Sequence, residues 1–197
     1  SGQRINRAGD DAAGLAISEK LKANIRSIKQ AGRNAQDGVS MIQTAEGAMN
    51  EVSNILVRLR ELSIQASSDT IGDTERSFIH KEVSGLKSEI DRIAAVTEFN
   101  GTRLLNGSAE PLDIQIGINN VASEDRFVFE TKALITNLQS LGIGEVSTES
   151  KLAAQANLTA LDGAIVHLNE NRASLGALQN RLQSTINNQQ IYRENLE

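Results

Sequence analysis

A chain of 197 residues is long enough for one large domain or two small ones. With 3% aromatic residues, no Trp and a single Pro it cannot build the usual aromatic-rich globular core, and its Ala, Leu, Ile, Gln, Asn, Glu and Arg favour long helices packed side by side. The net charge of −5 argues against nucleic acid or an anionic membrane as the main partner, and the absence of Cys removes disulfides, thiolate chemistry and Cys-ligated metals.

No stretch approaches the ~20 apolar residues of a membrane span, and no signal-peptide pattern is visible. The chain opens at Ser1 without Met and closes at Glu197 inside a helical pattern. It is therefore expected to be a piece of a longer protein.

The first predicted element is a helix from about residue 11 to residue 67. Asp10 and Asp11 supply a plausible N-cap before Ala12 and Ala13. Apolar or small residues then recur at Ile17, Leu21, Ile25, Ile28, Ala31, Ala35, Val39, Ile42, Ala45, Met49, Val52, Leu56, Leu59 and Leu62. Their steps are all threes and fours, averaging close to 3.5, which is a narrow, coiled-coil-like seam. At ~1.5 Å per residue such a helix would be roughly 80 Å long and would need partners. Gly14, Gly32, Gly38 and Gly47 lie inside it; each costs about 1 kcal/mol against Ala, so close packing is expected to offset them.

Gly72-Asp73-Thr74 reads as a turn that caps a second helix, about 74–97, with Ile79, Val83, Leu86, Ile90 and Ile93 on its seam. Asn100-Gly101 and Asn106-Gly107 are turn signals. Between Pro111 and Leu134 the period changes to two, with Leu112, Ile114, Ile116 and Ile118, then Phe127 and Phe129, alternating with polar residues. That predicts a β-hairpin with a longer loop around Asn119-Asn120. Residues 135–150 read as a Gly/Ser/Thr-rich connection. A third helix is predicted from about 149 to the end, with Leu158, Leu161, Ile165, Leu168, Leu175, Leu178, Leu182 and Ile186 on its seam. The predicted fold class is mainly α with a small β-hairpin: an elongated, rod-like bundle of three long helices with coiled-coil-like packing. Its segments are 1–107 (two helices and a turn), 108–150 (hairpin and connection) and 151–197 (the last helix packing back), forming a single domain.

Chemistry finds little support. His80 and His167 are far apart and lack HExxH or Glu-x-x-His company, so surface or boundary roles explain them better than metal ligation. No phosphate-binding glycine loop or nucleophile elbow occurs. An enzyme is not expected, and neither is a cofactor or a metal. Lys22, Arg26, Lys29 and Arg33, spaced 4, 3, 4, put four cations on one helix face. Without aromatic interleaving or a basic domain, that face is expected to be solvated or to meet acidic groups of a neighbouring subunit.

The stretch SGQRINRAGDDAAGLAISEKLKANIRSIKQAGRNAQDGVSMIQTAEGAMNEV closely resembles the amino-terminal region of bacterial flagellins, through its RIN, DDAAG, RNAQDG and QTAEGA motifs. The resemblance continues through EIDRIAAVTEFNGTRLLNG (89–107) and returns in LGALQNRLQSTINN (175–188). It is weakest over 108–150, although LDIQIG (112–117) is similar to the family's hairpin. The resemblance implies a rod domain of two amino-terminal helices, a hairpin and a carboxy-terminal helix. Outer domains, which the family inserts before the last helix, would be absent or minimal. Also missing would be the terminal segments that drive the family's polymerisation, so a soluble, non-polymerising monomer is expected. The parent protein would be the structural subunit of the extracellular flagellar filament, partnered by other flagellin subunits and by the flagellar export and chaperone machinery. A hook–filament junction protein or another flagellin-like component is the alternative.

LVRLRELSIQAS (56–67) carries an unusual density of charge beside its seam. With Leu59 at the seam's centre and about 100° per residue, Arg58 falls near −100°, Leu62 near −60° and Gln65 near −120°. Arg58, Leu62 and Gln65 then form one flank, with Leu62 at the core's edge, while Arg60 points to the other side. An Arg58–Glu61 pair at i, i+3 is the plain structural explanation. In flagellins detected by the vertebrate Toll-like receptor 5, the resemblance implies, this segment is the main contact. The contacting Arg and Leu correspond to Arg58 and Leu62, and a Glu on the next helix to Glu82. Gln65, Ile79 and Arg181 match flanking contacts. Val57 departs from the Gln often found in activating members.

Overall fold

In the computed structural model, which describes residues 12–196, the sequence Ala12–Ala66 winds into one unbroken helix of 55 residues, α1. Asp10 and Asp11, the expected cap, lie outside the described residues. After a turn, α2 runs Asp73–Val96, starting from Gly72, whose N–H donates to Glu75 Oε2 at 3.0 Å. That is the carboxylate half of a capping box, and it satisfies one donor that the helix itself cannot. The last helix, α4, spans Lys151–Leu196 and has 46 residues.

The turn at Asn100-Gly101 joins two very short strands, β1 (Glu98–Phe99) and β2 (Thr102–Arg103), paired antiparallel. Asn100 (φ 48°) and Gly101 (φ 79°) both adopt the left-handed conformation that a two-residue hairpin turn requires. The expected larger hairpin is present as β3 (Leu112–Gln115) and β4 (Arg126–Phe129). Its first strand ends three residues before Ile118, because Asp125 organises the loop. A one-turn helix, α3 (Ala122–Asp125), brings the Asp125 carbonyl onto the N–H groups of Ile116 and Gly117, at 2.7 and 3.0 Å. The Asp125 carboxylate accepts the N–H groups of Asn119 and Val121. A Cβ at Gly117 would collide with that carboxylate, so this position excludes every other residue.

The chain divides into two compact units. One comprises Ser1–Val39, Asp113–Val128 and Asn180–Glu197; the other comprises Ser40–Leu112 and Phe129–Gln179. In the second unit, the α1 residues Ala45, Met49, Val52, Leu56, Leu59 and Ala66 are fully buried. Two helices cover them. α2 lies antiparallel on one side, where Arg58 meets Glu82 and Arg76 reaches the Ala66 carbonyl. α4 lies antiparallel on the other, where Arg60 meets Asp162 and Ser63 meets Asn157. With helices on both sides, the buried sector is wider than a two-helix seam, and it takes in Ser63 and Leu62 as well. Residues 135–150, read from sequence as a Gly/Ser/Thr-rich connection, are closely packed: Leu141, Ile143, Val146, Thr136 and Thr148 are all buried.

In the first unit, Ile28, Ala31, Ala35 and Val39 on α1 are buried, with Leu182 and Ile186 on α4 and Phe127 on β4. The seam does not stay covered throughout: Ile17 is 61% and Leu21 36% exposed. Gly32 faces Gln189 and Gly38 faces Leu182, so α1 and α4 run antiparallel. By that register, Leu21 and Ile17 fall opposite positions beyond the last described residue of α4.

Candidate functional site

The charge-dense stretch of α1 resolves into two edges of one helix, each reading a different neighbour. On the α4 edge, Arg60 Nε donates to Asp162 Oδ1 at 2.6 Å and Nη2 to Oδ2 at 3.4 Å. The Arg60 hydrogen bond holds the Asp162 carboxyl below its ordinary range, against an opposing effect of burial that outweighs the further help of the Arg60 charge. On the α2 edge, Arg58 Nε donates to Glu82 Oε1 at 2.9 Å and Nη1 to Glu61 Oε2 at 3.1 Å. Those bonds, Glu82's first and Glu61's second, raise Arg58 above its ordinary value. The expected Arg58–Glu61 pair is thus one arm of a bridge that also crosses to α2.

The other side chains expected in the receptor-facing set separate by burial. Arg58 and Glu82 keep 48% and 46% of their side chains exposed, and Gln65 is exposed. Leu62 is 2% and Ile79 8% exposed, so both belong to the core. The placement of Leu62 at the edge of the core is therefore corrected. The helical angle was right, but α2 stands over that flank and closes it. Arg181 lies in the other unit, exposed, with its guanidinium carbon 5.2 Å from the centroid of the Phe127 ring. That is cation–π distance. Val57 is 47% and Ile64 49% exposed, and both stand on α1 beside the Arg60 edge.

A buried arginine between α1 and α2 had no signal in the sequence pattern. Arg76 is 7% exposed and satisfies the Ala66 and Ser68 carbonyls, at 2.9 and 2.8 Å, while Asp73 takes its third donor at 2.8 Å. It closes the carbonyl end of α1, which is why the turn into α2 holds without a glycine C-cap. Only the carbonyls it serves identify it, and they are set by the turn's path.

His167 is exposed, and His80 is partly buried with its Nδ1 3.3 Å from the Thr148 nitrogen. Among the described residues no cluster of three or more His, Cys, Asp or Glu could hold a metal ion. No described helix is long and apolar enough to cross a membrane. Of the four cations on one face of α1, Lys22 pairs with Glu19 at 2.9 Å. Lys29 and Arg33 border a groove of about 220 Å³ with Gln189 and Arg193 of α4.

Residues 1–110 match the family description "bacterial flagellin N-terminal helical region", and residues 158–197 match "bacterial flagellin C-terminal helical region". A flagellin of Halalkalibacterium halodurans is 43% identical over 199 aligned residues, covering all of this chain and 71% of the relative. Among solved structures, the flagellin of Bacillus cereus superposes with a TM-score of 0.70 at 35% identity, over 80% of this chain and 88% of that one. A putative flagellar hook-associated protein of Vibrio parahaemolyticus superposes with a TM-score of 0.78 at 13% identity, over 96% and 97% of the two chains. At that identity the likeness is one of fold.

Proposed function

The chain belongs to the bacterial flagellin family, and we propose that, besides serving as a structural subunit of the flagellar filament, it presents its α1–α2 ridge as a ligand surface for Toll-like receptor 5. A flagellin's place is that of a structural subunit of the extracellular filament, with other flagellin subunits as its partners, and its role there is mechanical rather than catalytic. We extend to it the family's dependence on the flagellar export and chaperone machinery. The reading as a hook–filament junction component is the weaker one. The hook-associated structure shares the fold at 13% identity, whereas flagellin identity is 43% across the whole chain. Coiled-coil packing of α1 is supported by the 3- and 4-residue spacing of Ala45, Met49, Val52, Leu56, Leu59, Leu62 and Ala66, all at most 2% exposed.

One observation carries the receptor reading: Arg58 and Glu82, brought together from two helices, stay half exposed on the same ridge as Gln65. A guanidinium held over its stem by a carboxylate is pre-ordered for a partner's acceptors and loses little freedom on binding. Leu62 and Ile79 lie beneath that ridge and support it rather than touch a partner. Arg181 is proposed as a separate contact.

Binding of the receptor ectodomain, measured by surface plasmon resonance, is expected to weaken at least about tenfold in Arg58→Ala and in Glu82→Ala, as hot-spot positions do. Glu61→Ala, which keeps the Arg58–Glu82 arm, should cost less. Equal binding by the wild type and Arg58→Ala overturns the assignment.

A further inference from the structure

Residues 136–150 form a strap laid along α2, and α2 grips it with polar side chains at a helical spacing. Asp91 Oδ1 accepts the Leu138 N–H at 2.9 Å. Lys87 Nζ donates to the Gly144 and Val146 carbonyls at 2.6 and 2.9 Å. His80 Nδ1 accepts the Thr148 N–H at 3.3 Å. With Ser84, these residues stand at i, i+4, i+7 and i+11, one face of the helix. From α4, Asn157 takes the Ser147 N–H at 3.2 Å and donates to its carbonyl at 2.8 Å and to Ser63 Oγ on α1 at 3.2 Å. The strap leads directly into the first turn of α4.

Among these grips the histidine differs in kind. A nitrogen that accepts a hydrogen bond carries no proton, so the Thr148 contact requires the neutral ring with its proton on Nε2. Protonation at Nδ1 turns that acceptor into a donor facing another donor. The charged groups on the surrounding elements do not replace the lost bond. Glu149, on the strap itself, approaches Nε2 at 3.7 Å and can hold the imidazolium only at that other nitrogen. Arg76, one turn earlier on α2, is committed to Ala66, Ser68 and Asp73. Lys87 is committed to the strap carbonyls, and Lys151, at the start of α4, to Asp69 at 2.6 Å. On α1, Arg58 is engaged by Glu82 and Glu61.

We propose that His80 is a proton-sensitive latch: its neutral ring fastens the carboxy-terminal end of the 136–150 strap to α2, and its protonation frees that end and the adjoining first turn of α4. A proton added at Nδ1 removes the acceptor, so the latch opens on acidification.

Hydrogen exchange of the intact chain tests this, with protection corrected for the intrinsic pH dependence of exchange. In the wild type, protection of the Thr148 amide should drop roughly fivefold as His80 protonates, the factor that loss of one net hydrogen bond corresponds to. The Leu138 amide on Asp91 should not change over that range. His80→Gln offers a carbonyl acceptor that does not titrate, and its Thr148 protection should be flat with pH. Glu149→Gln removes the carboxylate nearest the imidazolium and should shift the wild-type transition to lower pH. Nitrogen chemical shifts of the neutral ring should report the Nε2–H tautomer. An Nδ1–H tautomer, or a loss of Thr148 protection in His80→Gln equal to that of the wild type, overturns the proposal.

Discussion

α1 carries one apolar repeat from end to end, yet its two ends have different fates. From Ala45 to Ala66 every seam residue is at most 2% exposed, while Ile17 and Leu21 on the same repeat are 61% and 36% exposed. Period and residue type are shared, so neither explains the contrast. What differs is cover: α2 and α4 both flank the later half, and the described part of α4 does not extend opposite the first seam residues. A repeat in sequence therefore names the face that a helix would bury. Burial itself is decided by what stands opposite.

The largest test of that contrast is truncation on either side of it. Leu59→Ala removes a fully buried side chain enclosed between two helices and should destabilise the fold by about 2–5 kcal/mol in urea unfolding. Ile17→Ala should change stability by no more than about 0.5 kcal/mol. A comparable loss in both variants would mean that the seam is covered at both ends in solution. Leu62→Ala belongs with Leu59→Ala, so weakened receptor binding in that variant would need to be separated from lost folding.

Two glycines sharpen the comparison on a smaller scale, because the sequence presents them identically. A Cβ on Gly38 would lie 2.8 Å from Ile114 Cδ1 and 3.1 Å from Leu182 Cδ1, whereas one on Gly47 would meet nothing within 4 Å. Gly38→Ala is expected to cost about 1–3 kcal/mol through overpacking of the hairpin against the helices. Gly47→Ala should instead raise stability by up to about 1 kcal/mol, from helix propensity alone. Thermal midpoints of the two variants should move in opposite directions. Movement the same way would remove the close approach as the reason for Gly38.

These cases show which features the sequence carried and which it did not. The three long helices, the hairpin and the tight turn at Asn100-Gly101 were readable because period and turn chemistry are local. The pairing of Arg58 with Glu61 was readable for the same reason, since both lie on one helix. Its second arm to Glu82 was not readable from periodicity, and neither was the enclosure of Leu62, because both depend on where α2 lands. The Gly, Ser and Thr of residues 135–150 mark a connection but do not say what it packs on; Leu141, Ile143 and Val146 are buried where side chains of α2 grip the backbone. The stripe of His80, Ser84, Lys87 and Asp91 was visible in the spacing all along. It had no meaning until a backbone lay against it.

The smallest effect is expected on the α4 edge of the same stretch, at Arg60 and Asp162. The hydrogen bond from Arg60 holds the Asp162 carboxyl below its ordinary value in the folded chain. A folded value lower than the unfolded one means that the stabilisation is complete above the unfolded value, near pH ~4. It disappears as pH falls through the folded value. In Arg60→Gln the Asp162 carboxyl should therefore titrate at higher pH by NMR, and the variant should lose less stability than the wild type as pH falls below about 4. Both side chains are largely exposed, at 38% and 55%, so added salt should narrow the difference between the two proteins. Identical titration of Asp162 in both would show that the cross-helix pair is not held in solution. A small, salt-sensitive shift would place this edge where its exposure puts it: the pair aligns α4 on α1, while the stability of α1 rests on fully buried residues such as Leu56 and Leu59.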